Sequence, residues 1–413
     1  MNRYQRIAFF SLLATLPIQL GKHFWPLFSF VQGIRIDYLS PTFYLSDLCF
    51  IFLFLVSFRS LKFKLSKIFF SKLGVILVFS MFCSTILAAN LYAAIFGVVK
   101  LSEFIYIGVF VSHFFKKRDI ESSLFILALG GLVESVIILF QFVAQHSLGG
   151  MFYYLGERTF NASTPGIATA QFMGNYLLRP YGTFPHPNVA AFFLLFVFVW
   201  VLYSLKLQKT FISFLKILVL VILSIGIVLT LSRIITFLLI GIILYKIRPS
   251  GRINITLTLL GVLGICILLF QRFEATLIKD LVLREELVEI AVKIFFANPV
   301  FGTGLNNFFY TEILFQKTLS PILLQPVHNI YLYWITQTGI VGFVIAVSFI
   351  KKIAIALKKK IELKIKENFY KFVAITIFCI GFTGMFDHYF LTLQQGQLLT
   401  TIIIGFCFSN IDS

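Results

Sequence analysis

Apolar runs long enough to cross about 30 Å of hydrocarbon as helix recur from one end of this chain to the other. In lipid every backbone N–H and C=O must find its partner within the protein, so only helices and closed barrels span a bilayer. A barrel would show short segments alternating apolar and polar residues, and the sequence shows long apolar runs instead. Composition agrees: 59% of the 413 residues are hydrophobic and only 13% charged, against about 25% charged in an average soluble domain. The expected fold is an all-α integral membrane protein of about twelve transmembrane helices. The predicted spans are 7–21, 43–58, 73–89, 92–114, 122–144, 189–205, 211–231, 234–246, 253–270, 330–350, 372–390 and 396–409.

The formal charge of +18 raises the question of nucleic acid, and its distribution answers it. With Arg3 and Arg6 on the cytoplasmic side, 23 of the 35 Lys and Arg fall in cytoplasmic segments, ten fall outside, and Lys100 and Lys216 lie within spans. That bias is the positive-inside pattern, which sets orientation with both termini cytoplasmic. The charge therefore reads as a topology signal with attraction to anionic membrane lipids, and no nucleic-acid partner is expected. The five cysteines all sit in apolar runs without a C-x-x-C pair, which predicts neither a disulfide framework nor a zinc site. The first apolar segment is interrupted by Pro17, Gly21 and Lys22 and precedes no small-residue cleavage site, so it reads as a retained helix.

Three segments on the outside exceed simple turns: 22–42, 145–188 and 271–329. Long connections in compact proteins are usually functional or disordered, and the aromatic and periodic content of the last two argues for order. Within the third, REELVEIAVKIFF (284–296) places Leu287, Ile290, Ala291, Ile294 and Phe295 on one helical face, with Arg284 at its edge and Glu285, Glu286, Glu289 and Lys293 elsewhere. Asn298-Pro299 ends that helix, and Gly302 and Gly304 permit a tight turn. FPHPNVAAFF (184–193) and PVHNIYLYW (326–334) each set Pro, His and Asn before a span that descends from outside. A helix N-terminus behind an Asn cap is a natural anion site.

Three arginines fall on this side: Arg179, Arg233 and Arg284. Arg233 interrupts a long apolar stretch, where a cation costs roughly 2.5–3.5 kcal/mol on insertion scales. It is either a hairpin tip reaching for headgroups or a ligand for an anion, since guanidinium fits phosphate oxygens well. Arg284 has the same two readings, with a structural ion pair as the plain one. His186, His328 and His388 share the face with Asp387, but their spacing makes no local metal motif, so no metal is expected. A histidine beside arginines has its pKa drawn down, which keeps His328 neutral and available as a base. There is no Walker-type loop, no G-x-S-x-G and no D-x-D pair.

RPYGTFPHPNVAAFFLL (179–195), LTLSRIITFLLI (229–240), RxxLxxxAxxxFxxNPVFGTGLNNF (284–308) and HNIYLYWITQTGIVGF (328–343) resemble, in this order, the bacterial O-antigen ligase and polymerase superfamily; GMFDHYFLTLQQGQLL (384–399) is similar to a variant found in many members. The resemblance implies a metal-independent, inverting C-type glycosyltransferase of the bacterial inner membrane without cofactors. Its active site would be extracytoplasmic, its donor an undecaprenyl-diphosphate-linked glycan, and its acceptor a glycan, lipid or protein. It assigns the catalytic base to His328 and diphosphate binding to Arg233 and Arg284, with Arg179 beside them. Asn329, His186, Asn188, Asp387 and His388 are the supporting positions. It also divides the chain into N-terminal helices and loops, 1–174, and a ligase/polymerase-like region, 175–409. Ligase and polymerase share the donor, so both readings stand. A lipid-linked oligosaccharide flippase is a more distant rival, for which repeats, broken helices or midspan charges would speak.

Overall fold

The computed structural model describes residues 1–411 except 173–174, 205–210, 248–276, 317–323 and 365. The fold is mostly helical: α1 (Arg3–Ala14), α2 (Leu45–Phe69), α3 (Lys72–Ile86), α4 (Leu91–Phe114), α5 (Lys117–Ala144), α6 (Pro187–Ser204), α7 (Phe211–Leu229), α8 (Arg233–Ile247), α9 (Leu277–Ala297), α10 (Phe308–Glu312), α11 (Ile330–Glu362), α12 (Glu367–Thr383), α13 (Tyr389–Thr392) and α14 (Gln394–Phe408). Three two-stranded antiparallel ribbons, 21–23 with 42–44, 30–31 with 34–35, and 169–172 with 175–178, shape the long loops that the all-α reading left without strands.

Five helices, α4, α5, α6, α7 and α11, are long and apolar enough to cross a membrane, and the α2–α3 pair, bent by 84°, makes a sixth if it counts as one span. The twelve-span count is therefore not reached among the described residues. α1, α12 and α14 occupy predicted positions but hold only 12, 17 and 15 residues, short of the roughly 20 that a crossing needs, while α8 is described over 15 residues up to Ile247, next to residues outside the description. The predicted span 253–270 lies outside the described residues.

The helix α6 forms the centre. Apolar on all sides, it is buried at every position from Val189 to Val201, as expected of a helix ringed by others. Small residues set the closest approaches: a Cβ on Gly405 of α14 would fall 2.6 Å from Val111 Cβ of α4, and one on Gly131 of α5 would fall 2.8 Å from Leu223 of α7. Cys49, Cys83, Cys379 and Cys407 are free thiols, while Cys266 lies outside the described residues.

A second, smaller core caps one end of the bundle. Val31, Ile36 and Leu39 pack there with Leu287, Ile290, Ala291 and Ile294, and with Phe308, Phe309 and Val327. The amphipathic face read from 284–296 is thus buried through four of its five residues, with Phe295 half-buried, and the loop 22–42 shares its core.

The helix α11 is broken. At Gly339 the backbone turns to φ +63°, ψ −168°, which frees the carbonyls before it and the amides after it. The turn NPVFGTG fills that gap: Thr303 and Gly304 donate N–H bonds to Thr336 O (2.9 Å) and Gln337 O (3.0 Å), and Ile340 N–H donates to Pro299 O (2.8 Å). A Cβ at Gly339 would collide with Val300 O, and one at Gly302 with the Gln337 backbone. Irregular backbone at such a place survives because protein satisfies it.

Candidate active site

Two walls build the site, and α5 holds the first. Gln141 and Glu134, seven residues apart and so on one face, latch the turn 181–183. Gln141 Oε1 accepts from Tyr181 N–H (2.9 Å) and Gly182 N–H (2.8 Å), while its Nε2 donates to Gly182 O (3.0 Å) and Glu157 Oε1 (2.7 Å). Glu134 accepts from Thr183 N–H (2.9 Å) and Thr183 Oγ1 (2.6 Å). Gly182 takes φ +60° hard against the Glu134 carboxylate, a place with no room for a side chain.

The latched turn aims three polar residues. Arg179 Nε donates to Thr230 O (3.1 Å), in the turn just before Arg233, and its Nη2 donates to Asn188 Oδ1 (2.6 Å). Asn188 Nδ2 passes the chain on to Asp387 Oδ2 (2.8 Å), whose Oδ1 accepts from His388 N–H (2.8 Å). His186 Nδ1 accepts from Asn188 N–H (3.1 Å).

The second wall is carried by α9 and α11. Arg284 Nη1 donates to Phe386 O (2.9 Å), and its charge acts on His328 and His388. Asn329 caps α11, its Oδ1 accepting from Tyr331 and Leu332 N–H and its Nδ2 donating to Met385 O (3.3 Å). Its side chain serves the backbone. His328, one residue earlier, has its ring 5.0 Å from that of His388; its Nε2 meets Gln325 Oε1 (3.3 Å), and its Nδ1 is buried without a partner among the described residues.

Between the walls opens a cavity of about 2290 Å³. Arg179, His186, Asn188, Arg284, His328, Asp387 and His388 line one end of it. Its body runs between α4, α11 and α14 past Phe104, Gly108, Phe343, Phe349, Ile404 and Gly405, and Lys64, Lys67, His113 and Lys352 line the far end. Partway down, Lys100 pairs with Asp47 (3.0 Å) and Glu103 (2.7 Å), and Gln394 adds a bond to Asp47 (2.6 Å).

Residues 218–347 match the family described as O-antigen ligase. This match supports membership of the O-antigen ligase superfamily. Membership supports ligase- or polymerase-like glycan transfer in general. No curated protein matches the sequence. The matched stretch includes Arg233, Arg284, His328 and Asn329, whereas Arg179, His186, Asn188, Asp387 and His388 lie beyond it.

The electrostatics of this site favour uncharged imidazoles. Burial first, then the neighbouring His388 and Arg284, hold His328 down at about 3. Burial and Arg179 bring His186 to about 3, and burial brings His388 to about 4. Burial pushes the Asp387 carboxyl upward, but its histidine neighbours and the Asn188 amide outweigh it and keep the group below its usual value. The site therefore offers imidazole lone pairs around one carboxylate.

Seven of the nine positions expected from the sequence meet in the cavity wall. Arg233 and Asn329 do not: Arg233 opens α8 behind the Arg179 anchor, and Asn329 is a helix cap. Sequence reasoning missed Arg158, which lines the cavity and donates to Pro185 O (2.8 Å), and it missed the Gln141 and Glu157 part of the latch. Polar residues at a seven-residue spacing on an otherwise apolar helix were the available signal.

Proposed function

We propose that the protein transfers a glycan from an undecaprenyl-diphosphate-linked donor to an acceptor hydroxyl on the extracytoplasmic face of the bacterial inner membrane. One observation carries the reading: a histidine whose Nδ1 has no partner among the described residues and two arginines share one end of a cavity whose body runs between helices past mostly apolar side chains. The polyprenyl tail lies between α4, α11 and α14. Its diphosphate meets Arg284 and Arg179, with Arg158 nearby and Arg233 acting from the turn behind them. Negative charge grows on that leaving group as the glycosidic bond breaks, and fixed guanidinium groups stabilise it best where water is scarce.

His328 takes the proton from the acceptor hydroxyl as its oxygen attacks the anomeric carbon. Gln325 accepting from Nε2–H leaves Nδ1 with the lone pair, so Nδ1 is the basic atom. A single displacement of this kind inverts the anomeric centre and needs no metal. Ligase and polymerase differ in the acceptor alone, and the same site serves either.

The flippase reading is disfavoured by what surrounds the two features that would support it. The break at Gly339 is filled by the 299–304 turn, and Lys100 is matched by Asp47 and Glu103. The test is turnover of purified protein with lipid-linked glycan, followed by release of the lipid diphosphate. His328→Ala is expected to lose about 10²- to 10⁴-fold in rate, and full activity in that variant would end the assignment.

A further inference from the structure

The sequence spacing argues against a metal, yet the fold gathers a ligand set. One ligating atom each from His328, Asp387 and His388 falls within 4.8 Å of the others, although 59 residues separate His328 from Asp387. Each ligand is already oriented. The buried Nδ1 of His328 has no partner among the described residues and points its lone pair away from the Nε2 contact with Gln325. Thr392 Oγ1 donates to His388 O (3.2 Å) and lies 2.8 Å from His388 Nδ1, an arrangement that places the proton on Nδ1 and leaves Nε2 open. Asp387 is fixed through both oxygens, by Asn188 and by the His388 amide. Such outer hydrogen bonds are what set the tautomer and aim of metal-binding imidazoles.

We propose that His328, Asp387 and His388 form a binding site for one divalent zinc-like cation, and that its occupancy inhibits glycan transfer by taking the lone pair of His328. Two nitrogens and one carboxylate oxygen with a fourth position open to the cavity is a ligand set suited to zinc. Ligand atoms about 2.0–2.2 Å from a tetrahedral zinc stand roughly 3.4 Å apart, so a trio within 4.8 Å closes by up to about 1.4 Å on binding. Asp387 supplies the one carboxylate of the trio, and the Arg284 charge acting on both histidines weakens the site. The cation is therefore exchangeable and acts as a regulator. The inhibition rests on His328 being the base, whereas the binding does not.

The experiment separates the two. Full-length protein in detergent, stripped with EDTA, is titrated with zinc chloride against a chromophoric chelator, and transfer is measured in parallel. One zinc per chain is expected, with half-inhibition at the binding midpoint and reversal by EDTA. His388→Ala is expected to weaken binding by well over tenfold. Thr392→Val, which keeps every ligand and removes the orienting hydroxyl, is expected to weaken it about 10- to 100-fold with an unchanged melting curve. No stoichiometric binding, or binding indifferent to both variants, overturns the site. Zinc that binds without inhibiting overturns the competition and with it the role of His328, and zinc that restores activity after EDTA overturns the inhibitory role.

Discussion

Replacing Gln141 with leucine removes four hydrogen bonds at nearly constant volume, which makes it a clean test of the latch. Gln141 is fully buried, and the N–H groups of Tyr181 and Gly182 together with Gly182 O have no other partner among the described residues. A buried group deprived of its partner costs about 1–3 kcal/mol. Three such groups amount to about 3–9 kcal/mol, a sizeable part of the 5–15 kcal/mol by which a typical protein is stable. The turn has a cheaper escape: it detaches, and Arg179, His186 and Asn188 lose their aim while the apolar bundle stays folded. The expected result for Gln141→Leu is a modest fall in melting temperature with a severe loss of glycan transfer. Amide exchange at Tyr181 and Gly182 is expected to rise strongly, because their opening free energy drops by the amount lost. Wild-type exchange at those two amides with unimpaired transfer would refute the argument that the latch positions the site.

Gly339→Ala places a methyl against Val300 O at φ +63°, a conformation that costs an ordinary residue about 1–3 kcal/mol before the clash is counted. The NPVFGTG turn is expected to undock, lowering the melting temperature and transfer together, and a variant of wild-type stability would contradict the docking. The histidines define a pH window. His186, His328 and His388 are held to about 3, 3 and 4 when folded, against about 6.5 in an unfolded chain. The unfolded state then binds protons first, so stability is fully present above pH 6.5 and is lost as pH falls from there toward 4, at about 1.4 kcal/mol per pH unit for each histidine. Melting curves from pH 7.5 to 5 are expected to show this fall, shallower in His388→Ala, while initial rates stay unprotonated at His328 and nearly flat; a flat melting profile would contradict the buried neutral imidazoles.

Legibility followed the range of the interaction. The helix 284–296 could be read because its period is local, and Leu287, Ile290, Ala291 and Ile294 are buried as that period requires. The tight turn at Gly302 and Gly304 was legible for the same reason, with φ of +70° and +91°. What the turn does was not legible, since its partner is a single glycine inside an apolar run of α11. Twelve spans are not reached among the described residues, because hydropathy measures apolar length and ignores where a helix stops. The predicted span 372–390 ends as helix at Thr383, and the residues beyond it turn aside to place Asp387 and His388 in the site.

The trio of His328, Asp387 and His388 shows why spacing rules fail in one direction only. A short motif such as H-E-x-x-H names a metal site because one helix turn supplies both ligands; its absence excludes that geometry and no other. Here the ligands come from two chain segments joined through backbone carbonyls: Asn329 donates to Met385 O, Arg284 to Phe386 O, and Ile330 N–H to Gly384 O (2.8 Å). Those three bonds tie the start of α11 and the arginine of α9 to the three residues preceding Asp387. The position of the carboxylate relative to His328 is therefore set by main chain, and a change at Arg284 acts on His328 through geometry as well as charge. Loss of Arg284 should accordingly impair more than donor binding. Arg284→Lys retains the charge but not the fork that reaches Phe386 O, so its transfer rate should fall with kcat as well as KM, whereas a purely electrostatic role would spare kcat.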